Sequence, residues 1–386
     1  MNFDFLASLS MLGGGVTGYL IPFLFVLSIV VFFHELGHFL VARWCGVKVL
    51  TFSVGFGPEL AGFYDRHGTR WKISAIPLGG YVKFFGDENA ASVPDQNSAS
   101  SMSADERAVS FHHQSVGKRA AIVAAGPIAN FILAVVIFAG IFMAVGRPST
   151  TARVDGVQPD SAAAAAGFVA GDVIVAIDGR SIATFADMQR VVSTSPGEVL
   201  EVTVDRGGMR LVLHATPALR EVKDNFGNVH RIGQLGISRS LDPGGVKLER
   251  SAPLTAIGQG AAETWFVVAR TMSYLGGVIV GREAADQLGG PLRIAQVSGQ
   301  VATLGFAALL NLAAVLSVSI GLLNLFPIPL LDGGHLLFYS IEAARRRPLS
   351  ERSQEIGFRI GLGLVVALMI FATRNDIMHF IRAAGS

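Results

Sequence analysis

Four long runs of apolar residues divide the chain. They cover residues 19–42, 120–145, 304–325 and 356–373, and few charged side chains interrupt them. A helix needs about 20 apolar residues to cross the hydrocarbon core of a bilayer, and each run is near that length. The pattern therefore predicts an α-helical polytopic membrane protein with about four transmembrane helices.

The first polar insert between these spans has two parts. Residues 47–86 combine β-forming and aromatic residues with turn glycines, which is typical of hairpin strands. Their weak polarity indicates that they lie against the membrane or dip into it. Residues 87–107 are rich in Asn, Ser, Ala and Asp and predict a mobile loop. The insert is therefore expected to be a membrane-associated β-hairpin loop followed by a flexible segment.

The next polar region contains a small α+β module. At 150–240, short β-rich segments alternate with an alanine-rich helix and with a second helix that begins at Phe185. Gly167, Gly171 and Gly179 suit tight turns between strands, because glycine tolerates positive φ. The pattern resembles one bacterial PDZ domain of the circularly permuted kind, which implies a peptide or carboxy-terminal tail as its partner. A generic small β-domain is the alternative.

Helical but interrupted sequence fills residues 252–300. The segment 261–280 is moderately apolar, but it includes Glu263 and Arg270. We expect this segment to lie in the membrane interface, where Trp265 would be well placed. A fifth span is the alternative, and it would disturb the distribution of charge.

Basic residues mark one side of the membrane. Arg43, Lys48, Lys118 and Arg119 flank the first insert, and three arginines at 345–347 lie between the third and fourth spans. Cytoplasmic loops carry an excess of Lys and Arg. The first insert is therefore expected in the cytoplasm, with both termini and the long region after the second span outside.

Composition supports a membrane protein and excludes several kinds of site. Only 16% of the 386 residues are charged and the mean hydropathy is +0.50, whereas soluble proteins carry about 25% charged residues. The net charge of +2, without a basic stripe, predicts no nucleic-acid partner. Cys45 is the single cysteine, so neither an intrachain disulfide nor a Cys-rich zinc site can form. The first apolar run lacks a basic leader and is expected to be retained.

The first apolar run contains the motif His-Glu-Leu-Gly-His. On a helix, His34 and His38 project from one face about one turn apart. This spacing suits two nitrogen ligands of one Zn²⁺ ion, with Glu35 beside them as a general base. Two core histidines and a glutamate are the ordinary alternative. Ionisable groups inside a span are costly and usually functional, so we expect a metal site.

Zinc needs a third protein ligand, and the end of the third run offers two. Pro327 and Pro329 should break the helix just before Asp332. Unwound backbone at membrane depth is tolerated where it lines a polar cavity. Asp332 and His335 are both candidate ligands, and His335 could instead donate a hydrogen bond to a ligand or lie at the membrane surface.

Several separate motifs resemble those of the site-2 protease family of intramembrane zinc metalloproteases, and specifically its bacterial regulator-of-sigma-E protease type. They are His-Glu-Leu-Gly-His in the first span, Gly126-Pro-Ile-Ala-Asn130 in the second, Asn324-x-x-Pro-x-Pro-x-x-Asp-Gly in the third, Pro77-Leu-Gly-Gly-Tyr in the insert, and the PDZ-like module. The single PDZ module is a departure, because the best-known enterobacterial type carries two.

The resemblance implies a zinc endopeptidase of the bacterial inner membrane, with Asp332 as the third ligand. The PDZ domain and both termini would be periplasmic, and the active site would lie toward the cytoplasm. The substrate would be a single-span membrane protein that another protease has already trimmed, such as an anti-sigma factor or a remnant signal peptide. The lipid bilayer and this transmembrane substrate are the implied partners.

Two further elements are candidates for handling the substrate. Asn130 could donate to the developing oxyanion or hold the substrate backbone, or it could simply bond one helix to another. The strand that contains Gly79, Gly80, Tyr81 and Val82 could hold the substrate extended by strand addition. A purely structural loop is the alternative for that strand.

Two other functions are compatible with the sequence. A catalytically silent membrane scaffold with a PDZ domain would need metal ligands but not Glu35 as a base. A transporter could also have broken helices, but no internal repeat is apparent. The predicted order of segments is the first transmembrane helix with the histidine motif (1–46), the cytoplasmic or re-entrant loop (47–117), the second transmembrane helix (118–146), the PDZ domain (150–240), interfacial helices (252–300), the third transmembrane helix with the Asp-Gly motif (304–343) and the fourth transmembrane helix (356–374).

Overall fold

The chain forms two compact units. The first comprises Met1–Gly140 and Leu254–Ser386, and the second comprises Ile141–Pro253. The computed structural model describes residues 16–87, 102–148, 151–223, 229–239, 248–281, 285, 289–347 and 349–384. The helices are α1 (Val16–Trp44), α2 (Ala104–Val109), α3 (Val116–Ala144), α4 (Ala162–Ala166), α5 (Phe185–Thr194), α6 (Pro253–Ile279), α7 (Pro291–Ala302), α8 (Phe306–Asn324), α9 (Asp332–Arg345) and α10 (Glu351–Ala384). The strands are β1 (Val49–Tyr64), β2 (Arg70–Phe84), β3 (Arg147–Pro148), β4 (Gly156–Val157), β5 (Val173–Ile177), β6 (Arg180–Ser181), β7 (Leu200–Arg206), β8 (Met209–Ala215), β9 (Ala218–Lys223), β10 (Val229–Gln234), β11 (Ile237–Ser238) and β12 (Leu248–Glu249).

Four of the described helices are long and apolar enough to cross a membrane. The qualifying segments are Thr17–Trp44 in α1, Val116–Ala144 in α3, Phe306–Asn324 in α8 and Arg352–Met378 in α10. This confirms the four predicted spans and the α-helical membrane class. The helix α10 continues well beyond the predicted end of the fourth span. The helix α6, which contains the segment predicted to lie in the interface, is not one of the four.

A break separates α8 from α9. The helix α8 ends at Asn324 and α9 begins at Asp332, with Pro327 and Pro329 between them. The range 304–343, predicted as one segment with the Asp-Gly motif, therefore contains two helices. A proline ring cannot donate an N–H group and clashes with the preceding turn, so the helix cannot continue through these positions.

The first insert is a long antiparallel hairpin of β1 and β2. Its base is buried, where Phe52 pairs with Val82 across the strands and stacks on Trp71. In the middle of the two strands large apolar side chains are exposed, among them Leu60 and Ile76. The hairpin therefore has a buried part and an exposed apolar part, and its association with the membrane stays a prediction.

Asp65 ties the turn of this hairpin to the end of α1. Its carboxylate accepts hydrogen bonds from Arg43 and from the indole N–H of Trp71, and its other oxygen accepts from the backbone of His67 and Thr69. Burial raises the pKa of this carboxyl, but these donors outweigh burial and hold the pKa at about 2. The carboxylate therefore stays charged near neutral pH, and the hairpin keeps its position against α1.

Part of the predicted mobile loop is helical. Ser103 accepts a hydrogen bond from the backbone N–H of Glu106, whose side chain accepts from the Ser103 backbone. This capping box starts α2, so the prediction of a loop as far as residue 107 is wrong at its end. The signal Ser-x-x-Glu is present in the sequence. Residues 88–101 of that predicted loop lie outside the described part of the chain.

The second unit is an α+β module around one sheet. The sheet has the order β6-β5-β7-β8 with antiparallel neighbours, and β11 pairs with β4. Ile174, Ile177, Val202 and Val204 form its buried centre. The helix predicted at Phe185 is α5, and the predicted closing strand is β11. The pair of β9 and β10 was not predicted, and the PDZ assignment remains a prediction.

The helix α7 is held between α1 and α10. The buried carboxylate of Asp376 in α10 accepts hydrogen bonds from the backbone N–H groups of Gly290, Leu292 and Arg293 at 2.8, 3.1 and 3.1 Å. A negative charge at a helix N-terminus satisfies free N–H groups and the helix dipole. Gly299 allows the close approach of α7 to Tyr19, because a Cβ there would lie 2.3 Å from the Tyr19 ring.

Candidate metal centre

The two histidines of α1 and the aspartate of α9 meet at one point. The Nε2 atoms of His34 and His38 lie 3.3 Å apart, and Asp332 Oδ2 lies 3.2 Å from the first and 3.6 Å from the second. Each histidine is only 9% exposed. The sequence-predicted ligands are therefore brought together, with Asp332 rather than His335 as the third member.

These distances fit a tetrahedral zinc ion. With zinc–ligand bonds of about 2.0–2.1 Å, tetrahedral geometry requires ligand atoms roughly 3.4 Å apart. Asp332 Oδ2 is buried and makes no hydrogen bond, although two nitrogens lie close to it. The three atoms thus face a common point rather than one another. Two imidazoles, one carboxylate and an open fourth position form the donor set of a catalytic zinc site.

The break after α8 delivers Asp332 to this point. Asp332 is the first residue of α9, and Gly333 and Gly334 follow it against the preceding loop. A Cβ at Gly333 would lie 2.2 Å from the Phe326 carbonyl oxygen, and one at Gly334 would lie 2.4 Å from that of Ile328. No side chain fits there, so the glycine pair is required by the close approach of backbone to backbone.

The helix α3 supports the two histidines from behind. His38 Nδ1 donates to the carbonyl oxygen of Ile122 at 2.9 Å, which leaves Nε2 free for a metal. Gly126 lies directly against both rings, and a Cβ there would be 2.2 Å from His38 Nε2. The glycine of the second-span motif therefore makes room for the ligands.

Known proteins match this chain along most of its length. The model of Peptidase family M50 matches residues 22–368. The chain belongs to this family. An Agrobacterium fabrum protein is 54% identical over 368 residues, which cover 95% of this chain and 98% of the relative. A Rhizobium meliloti protein is 53% identical over 360 residues, with coverage of 93% and 96%.

Those two relatives carry the words zinc metalloprotease in their names. Metalloprotease MmpA of Caulobacter vibrioides is 43% identical over 383 residues, which cover 94% of this chain and 96% of the relative. With four membrane-length helices and a zinc donor set, this M50 peptidase is a zinc metalloprotease embedded in a membrane.

The predicted base lies in the same cavity as the candidate ligands. Glu35 accepts a hydrogen bond from the backbone N–H of Val82, on strand β2. Its cavity is lined by the three ligands, by Glu35, and by Gly80, Tyr81 and Val82. Three of the four predicted substrate-strand residues therefore border the site.

The fourth predicted strand residue has a different position. Gly79 lies against Phe56 of the hairpin, where a Cβ would be 2.4 Å from the ring, and it does not line the cavity. Its φ of +140° favours glycine. Gly79 thus shapes the strand, whereas Gly80 allows β2 to approach α1, since its Cβ would lie 3.0 Å from Glu35 Cγ.

Two asparagines contact His34 of this M50 peptidase on opposite sides of the ring. Asn130 is fully buried, with Nδ2 3.2 Å from His34 Nδ1. Asn324 is half-buried, with Nδ2 3.4 Å from His34 Nε2. No role for Asn324 was predicted from the sequence, although it is the first residue of the third-span motif. Asn324 is on the ligand side of the ring, and Asn130 is behind it.

His335, the competing ligand, lies in the cavity wall. Its ring packs near those of Tyr339 and Phe358. It is one turn beyond Asp332 on α9, and it does not join the three donor atoms. The alternative that made His335 a ligand is therefore not supported by the geometry.

The close contact at Gly126 predicts a specific loss of zinc. Gly126→Ala would place a methyl group against both ligand rings, so they must move. We expect zinc affinity to fall about 10-fold or more, as for other changes that displace a ligand. Zinc content and competition with a chelator, measured on purified protein, check this.

Gly140→Ala is the matched control, because it lies in the same helix with nothing within 4 Å of the added Cβ. Its zinc affinity should equal that of the unmodified chain. Equal zinc affinity in both variants would contradict the close packing of α3 against the ligands.

Proposed function

We propose that this zinc metalloprotease hydrolyses a peptide bond within the transmembrane segment of a pre-trimmed, single-span membrane protein. The observation that carries the proposal is the position of the donor set within a membrane-length helix. Trp44, the last residue of α1, comes ten positions after His34, which at 1.5 Å per residue is about 15 Å. Chemistry at that depth favours a substrate that also lies in the membrane.

The residues around the site can divide the chemistry among them. His34, His38 and Asp332 would hold a zinc ion, which would supply an acidified water and polarise the scissile carbonyl. Glu35 takes the proton of the attacking water and returns it to the leaving amine. Asn324 presents its amide on the ligand side, where it can donate to the developing oxyanion.

The edge of β2 can hold an unwound substrate. Val82 donates its N–H toward Glu35, away from its partner Phe52 in β1. Alternate residues of a strand present their N–H and C=O groups to the same edge. Gly80 therefore presents its groups at this edge too, beside the catalytic base. A substrate strand added there would have its carbonyls next to the site, whatever its sequence.

The second unit can restrict which substrates reach the site. Its α5 helix and its β11 strand support a PDZ assignment, as does its own buried core. Such a domain could bind the carboxy-terminus that a first cleavage exposes. It could instead exclude substrates with large external domains. Anti-sigma factors and remnant signal peptides are both substrates of the proposed kind.

We place the protease in a bacterial inner membrane with its site toward the cytoplasm. Arg43 and Lys48 follow α1, Lys118 and Arg119 lie at the start of α3, and Arg345 ends α9. Lys and Arg concentrate in cytoplasmic loops. The termini and the second unit would then be periplasmic.

Removal of the base should separate catalysis from metal binding. Glu35→Gln keeps the shape of the side chain but cannot accept a proton, so we expect cleavage of a single-span reporter to fall at least about 100-fold. Zinc content should stay that of the unmodified chain.

Glu355→Gln is the control, because Glu355 is exposed and pairs only with Arg359 one turn away among the described contacts. It should cleave normally. Unreduced cleavage by Glu35→Gln would contradict the protease mechanism. If the unmodified chain binds zinc but does not cleave the single-span reporter, the scaffold alternative is favoured.

Strand addition predicts that a proline at the free edge of β2 blocks the substrate. Gly80→Pro removes an N–H group that the substrate would need, and Gly80→Ala is its control, because it adds the same Cβ beside Glu35 but keeps the N–H group. We expect cleavage of the single-span reporter to fall about 10-fold or more while zinc content is retained. Normal cleavage by the proline variant would contradict the strand-addition proposal.

Substrate restriction predicts a gain of cleavage when the second unit is removed. Deletion of residues 150–240 should let the enzyme cleave an untrimmed reporter that the full chain rejects, or should weaken its preference for the trimmed one. The ratio of the two cleavage rates measures this. An unchanged ratio would exclude both proposed roles of the PDZ domain.

A further inference from the structure

Only one end of the Asn130 side-chain amide has a hydrogen-bond partner. Its Nδ2 lies 3.2 Å from His34 Nδ1, and its Oδ1 is buried with no hydrogen bond. The residue is 0% exposed. This orientation of the amide makes His34 Nδ1 an acceptor, because an amide NH₂ group can only donate.

That arrangement conflicts with metal binding by His34. A neutral imidazole has one N–H group and one lone pair. His34 Nε2 faces the other two donor atoms, so its lone pair is needed for zinc, and the hydrogen must be on Nδ1. Two donors would then face each other across 3.2 Å. The metal-bound site therefore needs an oxygen atom at that position.

The amide can supply that oxygen without any change in the space that the side chain occupies. The two ends of an asparagine amide have nearly the same shape, and a half-turn about the terminal bond exchanges them. We propose that Asn130 positions His34 as a zinc ligand by accepting a hydrogen bond from His34 Nδ1–H through its side-chain oxygen. This deepens the proposed function and rests on it only for the catalytic consequence.

The second histidine shows the same arrangement. His38 Nδ1 faces the carbonyl oxygen of Ile122 at 2.9 Å, also on α3. Each ligand imidazole therefore has an oxygen of α3 behind it, one from the backbone and one from Asn130. Such outer acceptors fix the tautomer and the direction of the ring. With the amide oxygen of Asn130 toward His34, the two histidines have the same kind of acceptor.

Asn130 is held firmly enough for this role. The hydroxyl of Ser317 in α8 donates to the Asn130 carbonyl oxygen at 2.9 Å. Gly321, also in α8, lets that helix approach the Asn130 side chain, because a Cβ there would lie 3.1 Å from Asn130 Cβ. The His34 ring lies between Asn130 and the ligand atoms. Asn130 is thus a positioning residue, and a direct hydrogen bond to a substrate carbonyl does not fit its place.

The test uses a substitution that retains the acceptor and removes the donor. Asn130→Asp keeps an oxygen toward His34, whereas Asn130→Leu keeps only the approximate volume. Zinc dissociation constants are measured by chelator competition on the full chain in detergent. We expect Asn130→Asp to bind zinc within about threefold of the unmodified chain, and Asn130→Leu to bind it about 10–100-fold more weakly.

Asn324→Asp is the opposite control, because its proposed role requires an N–H donor. It should keep zinc binding and lose cleavage, which separates its role from that of Asn130. Thermal unfolding with zinc removed should be alike in all variants. If Asn130→Leu does not fold, the zinc affinity of Asn130→Asp decides alone.

Two results would overturn the proposal. One is a zinc affinity of Asn130→Asp that falls tenfold or more, since a donor role would then be indicated. The other is an Asn130→Leu variant that folds and binds zinc as the unmodified chain does. Zinc affinity is independent of cleavage, so a failure of the proposed intramembrane cleavage would leave this test intact.

Discussion

The close packing of α1 against α3 is the constraint on which the rest of the site depends. A Cβ at Gly37 would lie 2.3 Å from the Ala125 carbonyl oxygen, and one at Gly126 would meet the His38 ring. Small residues let helix backbones approach in a membrane, where the hydrophobic effect gives no drive for association. This approach brings the acceptor oxygens of α3 within reach of the histidines. Without it, His34 and His38 would lack the oxygen atoms of α3 that orient their rings.

A second constraint comes from the broken backbone between α8 and α9. Proline ends α8, and the glycine pair after Asp332 folds the new helix tightly against the loop. Leu330 in this loop has φ of +87°, which for a non-glycine residue costs of order 1–3 kcal/mol. The surrounding contacts must supply that energy. The carboxylate is therefore placed by packing and not by the local preference of its own residues.

Much of the site could be predicted because its signals are local. Helical periodicity brings His34 and His38 to one face, proline breaks a helix wherever it occurs, and apolar length predicts spans. Asp332 was preferred to His335 mainly through the family resemblance. The side of the ring on which Asn130 and Asn324 lie could not be predicted, since it depends on how three helices pack. The capping box that starts α2 could have been read from the sequence, but the polar composition of residues 87–107 favoured a loop.

The residues of the donor set lie far apart along the chain. Asn324 follows His34 by 290 residues, and Asp332, the third member of the donor set, follows Asn324. During synthesis the histidines enter the membrane long before the carboxylate is made. A complete metal site therefore cannot exist until the third span has been inserted and its broken end has docked. A nascent chain without Asp332 therefore cannot hydrolyse peptide bonds. Activity arises only after the third span and α9 are in place.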